Sequence, residues 1–270
     1  MLPPETNLEL RSCLPAKVAR NALKPPLLFV HGGFCDAWCW TPHFLPWFAL
    51  QGYAAYALSL RGHGTSGGSE TLFVTGLDDF ATDVMQIATG LPAPPVLIGH
   101  SMGAAIVERL LATRPVRAAA VLSPVPPAGL LAVAARLATT QSEYPLLTQF
   151  DPTRMTTHLL DVLRPYYFSA DVAPEILAEA PAHLCAESPR ALLDLSLRVH
   201  WQVRKHANGG TATFVLGAAD DRIATPDDVR ATASHHGVEA IIVPGLAHMM
   251  MLERQWEQPA RELGRWLATL

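Results

Sequence analysis

An apolar run, Pro95-Val96-Leu97-Ile98, leads directly into Gly99-His100-Ser101-Met102-Gly103, and a helical pattern follows from Ala104 to Thr113. This arrangement leaves little choice of local structure: a buried strand, a very sharp turn with serine at its apex, then a helix. Glycine suits both ends of the turn because a side chain at either position would collide across it. The serine is expected in a strained backbone conformation, with its hydroxyl held clear of the sheet. Three fixed positions in five residues are a weak signal alone, and the flanking elements make it informative.

The rest of the chain is organised around that junction. Leu8 to Leu14 and Lys17 to Asn21 read as two short leading strands, and Leu27 to Val30 as a buried strand ending at His31-Gly32-Gly33. Trp38 to Gln51 reads as a helix with Gly52 at its C-terminus. Ala54 to Leu60 is the next strand, and Leu77 to Thr89 has helical spacing at Phe80, Val84 and Ile87. Ala118 to Leu122 is another strand. Alternating strands and helices predict a mainly parallel sheet covered on both faces.

The rhythm breaks from Pro124 to about Gly210. Helical segments at Leu130 to Thr140, Thr153 to Leu163, Pro174 to Glu179 and Arg190 to Lys205 are separated by prolines. Strands then return at Thr213 to Leu216 and Ala240 to Val243, with helices at Asp227 to His235 and Trp256 to Leu267. The expected organisation is an α/β core formed by residues 1–123 and 211–270, with a helical cap inserted at 124–210. Asn208-Gly209-Gly210 reads as a short return loop rather than an interdomain linker.

Composition narrows the class. Half of the 270 residues are hydrophobic and 16% are charged, so a large core is available. The net charge of -4 carries no basic bias, which argues against a nucleic-acid partner. Cys13, Cys35, Cys39 and Cys185 match neither a Cys-x-x-Cys nor a zinc spacing, so no metal is expected. They read as reduced, mostly buried thiols, with Cys35 and Cys39 one helical turn apart. The first residues lack a secretory pattern and no apolar run has membrane-spanning length, so a soluble cytoplasmic protein is the default expectation.

A serine hydroxyl becomes a useful nucleophile only beside a base that is itself oriented by a carboxylate. In a fold with this turn, the chain order is serine, acid, histidine. The strand ending at Leu216 runs into Gly217-Ala218-Ala219-Asp220-Asp221-Arg222-Ile223. Asp221 is the preferred orienting acid because of the Arg222-Ile223 that follows it, and Asp220 is the alternative. A solvated loop carboxylate or a helix cap is the plain reading of either. Gly245-Leu246-Ala247-His248 follows the last strand and makes His248 the candidate base. His158, His183, His200 and His206 fall in the cap, and His235 and His236 end a helix. Backbone N–H groups of Met102 and of Gly33, with Phe34 as the second choice, are the expected donors to a developing oxyanion.

Gly62-His63-Gly64-Thr65-Ser66-Gly67 matches a dinucleotide fingerprint by letter alone. It stands in a later unit and continues as a loop rather than opening a helix, so it reads as a structural turn and no cofactor is expected. Tyr166, Tyr167, Phe168 and Trp201 in the cap read equally as pocket lining for an acyl or aromatic group and as packing.

Taken together, His31-Gly32-Gly33, Arg61-Gly62-His63-Gly64-Thr65-Ser66, Gly99-His100-Ser101-Met102-Gly103, the Asp220-Asp221 loop and Ala247-His248 resemble the α/β-hydrolase fold family in motif order over nearly the whole chain. The resemblance implies an eight-stranded, mostly parallel sheet and a cofactor-free Ser-His-Asp triad. Ala37-Trp38-Cys39-Trp40 and His248-Met249-Met250-Met251-Leu252 are similar to the plant methylesterase and hydroxynitrile lyase branch. The lyases of that branch place a lysine where Met249 stands, which favours ester hydrolysis. Aspartate is the nucleophile in dehalogenases of the fold, and Ser101 excludes that chemistry. The expected activity is cleavage of a small-molecule carboxylic ester by Ser101, His248 and Asp221. Lactone hydrolysis, C–C hydrolysis and perhydrolysis use the same triad. A non-catalytic ligand receptor on this fold is the rival from another class, and a nucleotide-binding oxidoreductase a weaker one.

Overall fold

A computed structural model describes residues 6–16, 24–140, 163–197 and 210–270. Seven strands form one sheet: β1 (Leu10–Cys13), β2 (Leu27–Val30), β3 (Ala55–Leu58), β4 (Val96–His100), β5 (Ala118–Leu122), β6 (Ala212–Ala218) and β7 (Ala240–Val243). Their spatial order is β1-β3-β2-β4-β5-β6-β7, with only the β1–β3 pair antiparallel. The expected count of eight is therefore corrected to seven among the described residues. The second leading strand, expected over Lys17 to Asn21, lies outside them.

Alternation along the strands sends successive side chains to opposite faces, and each face has its own cover. Phe29, Ile98, Ala120 and Leu216 join one apolar cluster with α1 (Phe44–Leu50) and the C-terminal helix Glu257–Leu267. Leu28, Val30, Leu97, Val121 and Val215 join the other, with α2 (Leu77–Gly90), α3 (Met102–Thr113) and the helix Pro226–His236. Full burial on both faces explains why these strands read as continuous apolar runs.

The helix expected over Trp38 to Gln51 is instead a 3₁₀ turn, Ala37–Trp40, followed by α1. An unbroken α-helix would need the residue at position 42 to donate to the Trp38 carbonyl. Pro42 has no N–H, and the Thr41 N–H takes that carbonyl at 2.8 Å. Pro46 lies in the first turn of α1, where no intrahelical donor is required.

Between β5 and β6 the described residues supply α4 (Gly129–Thr140), α5 (Pro174–Glu179) and α6 (Pro189–Ser196). The expected helix at Thr153 to Leu163 lies outside the described residues except for its last residue. The one expected at Arg190 to Lys205 is described only to 197, and its helix ends at Ser196. With α4 to α6 in place, Pro226–His236 is α7 and Glu257–Leu267 is α8. Among the described residues no helix is long and apolar enough to cross a membrane. Four free cysteines are present; only Cys39 is buried and the other three are half-buried, fewer than the mostly buried set expected.

Candidate active site

In an open parallel sheet, sites form at the carboxyl ends of the strands. Here β4 delivers Ser101, β2 delivers His31-Gly32-Gly33, β6 delivers Asp221 and β7 delivers His248, all at that one edge. The Ser101 N–H donates to the Leu122 carbonyl at 3.0 Å, extending the β4–β5 ladder to the apex of the turn. Ser101 then adopts φ 53°, ψ -117°, a conformation that L-residues rarely occupy, and α3 begins at the next residue.

The two glycines make that turn possible. A Cβ on Gly99 would lie 2.2 Å from the Gly103 carbonyl oxygen, and one on Gly103 would lie 2.4 Å from that of Val30. Those contacts press α3 against both β4 and β2. The Met102 N–H belongs to the first turn of α3, where no intrahelical carbonyl reaches it and the helix dipole favours negative charge.

Asp221 and Asp220 differ sharply in environment. Asp220 is exposed. Asp221 is buried, and its Oδ1 accepts N–H bonds from Ile223 at 2.8 Å and Ala224 at 2.9 Å. Its Oδ2 stands 2.8 Å from Nδ1 of the buried His248. A carboxylate only accepts, so His248 carries a proton on Nδ1, and that bond leaves Nε2 unengaged by Asp221.

Ser101 and His248 line one cavity of about 500 Å³, mouth included, together with Gly33, Met102, Tyr167 and Met249. Among the described residues the serine hydroxyl forms no hydrogen bond with the imidazole; such contacts often close only when substrate is bound. A second, strongly apolar cavity of about 540 Å³, mouth included, adjoins it, sharing Gly33, Phe34, Tyr167 and Met249. Trp38, Phe168 and Leu184 line its far side. Of the expected cap aromatics, Tyr167 and Phe168 thus face the cavity, Tyr166 packs with Val133 and Leu137 of α4, and Trp201 lies outside the described residues.

The other histidines near the site have their own partners. His31 faces the Gly32 carbonyl through Nδ1 at 2.7 Å and accepts the Leu60 N–H at Nε2 at 3.0 Å. Burial and then the charge of His63 push it down to about 3, so it remains neutral and braces the strand end. His100 donates from Nε2 to the His248 carbonyl at 2.9 Å. Burial, reinforced by His248, holds it well below its ordinary value. Sequence reasoning gave His100 no role. Its place inside the pentapeptide, next to Ser101, is the only signal it offered.

The loop after β3 closes on itself, with the Gly62 N–H donating to Gly67 at 2.9 Å and Arg61 pairing Asp83 of α2 at 2.6 Å. A 3₁₀ turn, Ser69–Val74, separates the loop from α2, so its glycines do not open a helix. Among the described residues no cluster of His, Cys, Asp and Glu could hold a metal ion.

The model of the alpha/beta hydrolase family matches residues 27–263. No curated protein matches the sequence. Among solved structures, the chain is similar to a thermophilic esterase from Thermogutta terrifontis, solved with malate bound: TM-score 0.72, 18% identity, 100% of this chain and 96% of that one covered. It is similar to the enol-lactonase of Burkholderia xenovorans: TM-score 0.71, 18% identity, 97% of each chain covered. A monoacylglycerol lipase of Paleococcus ferrophilus aligns with TM-score 0.63 and 20% identity over 98% of this chain and 99% of its own. At such identities the likeness is one of fold.

Proposed function

Because the chain belongs to the alpha/beta hydrolase family, we propose that it is a serine hydrolase that cleaves carboxylic esters through an acyl-enzyme. The observation that carries this reading is the buried Asp221–His248 hydrogen bond on the rim of the cavity that Ser101 also lines.

The Ser101 hydroxyl attacks the ester carbonyl while Nε2 of His248 takes its proton. Asp221 holds the imidazole in the tautomer that leaves Nε2 free and stabilises the imidazolium that forms. The negative oxygen of the tetrahedral intermediate rests on the N–H groups of Met102 and Gly33. Phe34 is the weaker second donor because its N–H already donates to the Glu187 carboxylate at 3.3 Å. The imidazolium then protonates the departing alkoxide, and His248 activates a water that releases the acid and restores Ser101.

The segment at 124–210 acts as the cap. It supplies Tyr167, Phe168 and Leu184 to the apolar cavity, which fits a short or medium acyl chain or an aryl group. Ser101→Ala tests the assignment: p-nitrophenyl ester turnover and fluorophosphonate labelling should both disappear, with an unchanged melting temperature. Turnover that persists in this variant overturns the proposal.

A further inference from the structure

Phe34 directly follows Gly33 and is held at φ 65°, in the left-handed region that a non-glycine residue enters only at a cost. Such a residue persists only where its surroundings over-determine it. Both of its backbone groups are gripped by one strip of chain, Cys185 to Ser188. The Cys185 N–H donates to the Phe34 carbonyl at 3.0 Å, and the Phe34 N–H donates to Oε2 of Glu187.

Glu187 is fully buried and has three donors around it. Oε1 accepts the Ser188 N–H at 2.7 Å, while Oε2 faces both the Phe34 N–H and Nε2 of His63, the latter at 3.2 Å. Nδ1 of His63 in turn faces the Arg61 carbonyl at 3.0 Å. A ring with an acceptor at each nitrogen is a double donor, hence an imidazolium. Burial alone would lower the His63 pKa, and the Glu187 carboxylate, with the Arg61 carbonyl and Asp36 behind it, more than offsets it, so the net direction is upward. The neutral His31 ring lies 5.1 Å away. A Cβ on Gly33 would lie 3.3 Å from Oε2, so the carboxylate packs directly against the donor loop. An unpaired carboxylate there would repel an oxyanion; the paired one presents no net charge.

We infer that Glu187, contributed by the connection between β5 and β6 and clamped by His63, is a positioning residue that aims the Gly33 N–H into the oxyanion site. The inference rests on the proposed ester chemistry. It assigns the segment at 185–188 a part in transition-state stabilisation, separate from substrate selection. It also gives the Arg61-Gly62-His63-Gly64 loop a purpose: its histidine is the counter-ion of the clamp.

Glu187→Ala and Glu187→Gln test it, with p-nitrophenyl butyrate as substrate, an aryl trifluoromethyl ketone as the oxyanion mimic, and fluorophosphonate labelling of Ser101. Losing the aim of one donor should lower kcat, slow labelling and weaken the ketone by up to about 100-fold in Glu187→Ala, with KM changed less than about threefold. Gln is nearly isosteric and keeps the fold. Its single amide oxygen cannot serve both Ser188 and Phe34, so an intermediate loss of about tenfold is expected. A folded variant with wild-type kcat and ketone affinity overturns the inference, as does a kcat loss that leaves ketone affinity unmoved, which marks a purely structural role. Ester turnover surviving in Ser101→Ala is a different result, because it removes the hydrolase reading itself.

Discussion

The junction of β4 with α3 and the segment between β5 and β6 both face the same cavity, yet they are built in opposite ways. At the junction, backbone packs on backbone: Gly99 against Gly103, and Gly103 against Val30 and His31, with no space for even one more carbon. Across the cavity and into the adjoining apolar one, the described part of the β5–β6 connection presents side chains such as Tyr167, Phe168 and Leu184, held by bonds such as Met249 N–H to the Tyr167 carbonyl. The first kind of construction fixes where atoms stand. The second shapes a surface whose side chains can be exchanged with little disturbance. Chemistry common to a fold belongs on the first, and choice of substrate on the cavity-lining side chains of the second; Glu187, which reaches from that segment to the Phe34 N–H, goes with the first.

The largest test of that contrast lies on the fixed side. Asp221→Asn keeps the shape but offers His248 the wrong tautomer, and kcat should fall about 10⁴-fold, whereas Asp220→Asn should stay within about twofold. Equal losses in the two variants would break the distinction drawn from their burial. Next comes Gly103→Ala. With its new carbon 2.4 Å from a backbone oxygen, it should cost at least about 3 kcal/mol and lower the melting temperature by on the order of 10 °C in thermal denaturation.

A pH effect follows from the brace under the fixed side. The ring of His31 takes up a proton near 6.5 when unfolded but only near 3 when folded. The unfolded chain therefore binds more protons across that window. The stability contribution is complete above pH 6.5 and is lost progressively as the pH falls toward 3. Melts recorded from pH 7 to 4 should show a steep fall in Tm, and a flat profile would contradict the brace. The smallest effect belongs to the exchangeable side. Leu184→Trp should fill the apolar cavity, lowering kcat/KM for p-nitrophenyl hexanoate about tenfold while leaving the acetate ester and Tm nearly unchanged.

These two modes of construction also explain what was readable beforehand. The glycines and strand ends beside Ser101, Asp221 and His248 follow from backbone sterics and periodicity, which sequence displays directly, while the order serine, acid, histidine came from the fold that the turn implies. Asp221 could be preferred over Asp220 only by its neighbours; the two N–H bonds from Ile223 and Ala224 that hold it in place appear only once the loop is folded. The broken helix after Ala37 was legible in principle, since Pro42 stands where the Trp38 carbonyl needs a donor. Glu187 was not legible. Nothing in Cys185-Ala186-Glu187-Ser188-Pro189 marks it, because its meaning comes from His63 and Phe34, residues 124 and 153 positions away.

The hydrogen bond from His100 to the His248 carbonyl joins the end of β4 to the loop after β7, 148 residues apart in sequence. Ser101 follows His100 directly, so the alcohol and the proton acceptor of the proposed mechanism are carried on linked supports. With that bond in place, a displacement of either support would be passed to the other, and the gap that the proposed proton transfer crosses would widen less than between unlinked supports. Severing that tether would leave each group intact at its own address and scatter only their encounters, a loss visible in the spread of turnover times of single molecules more than in any average structure.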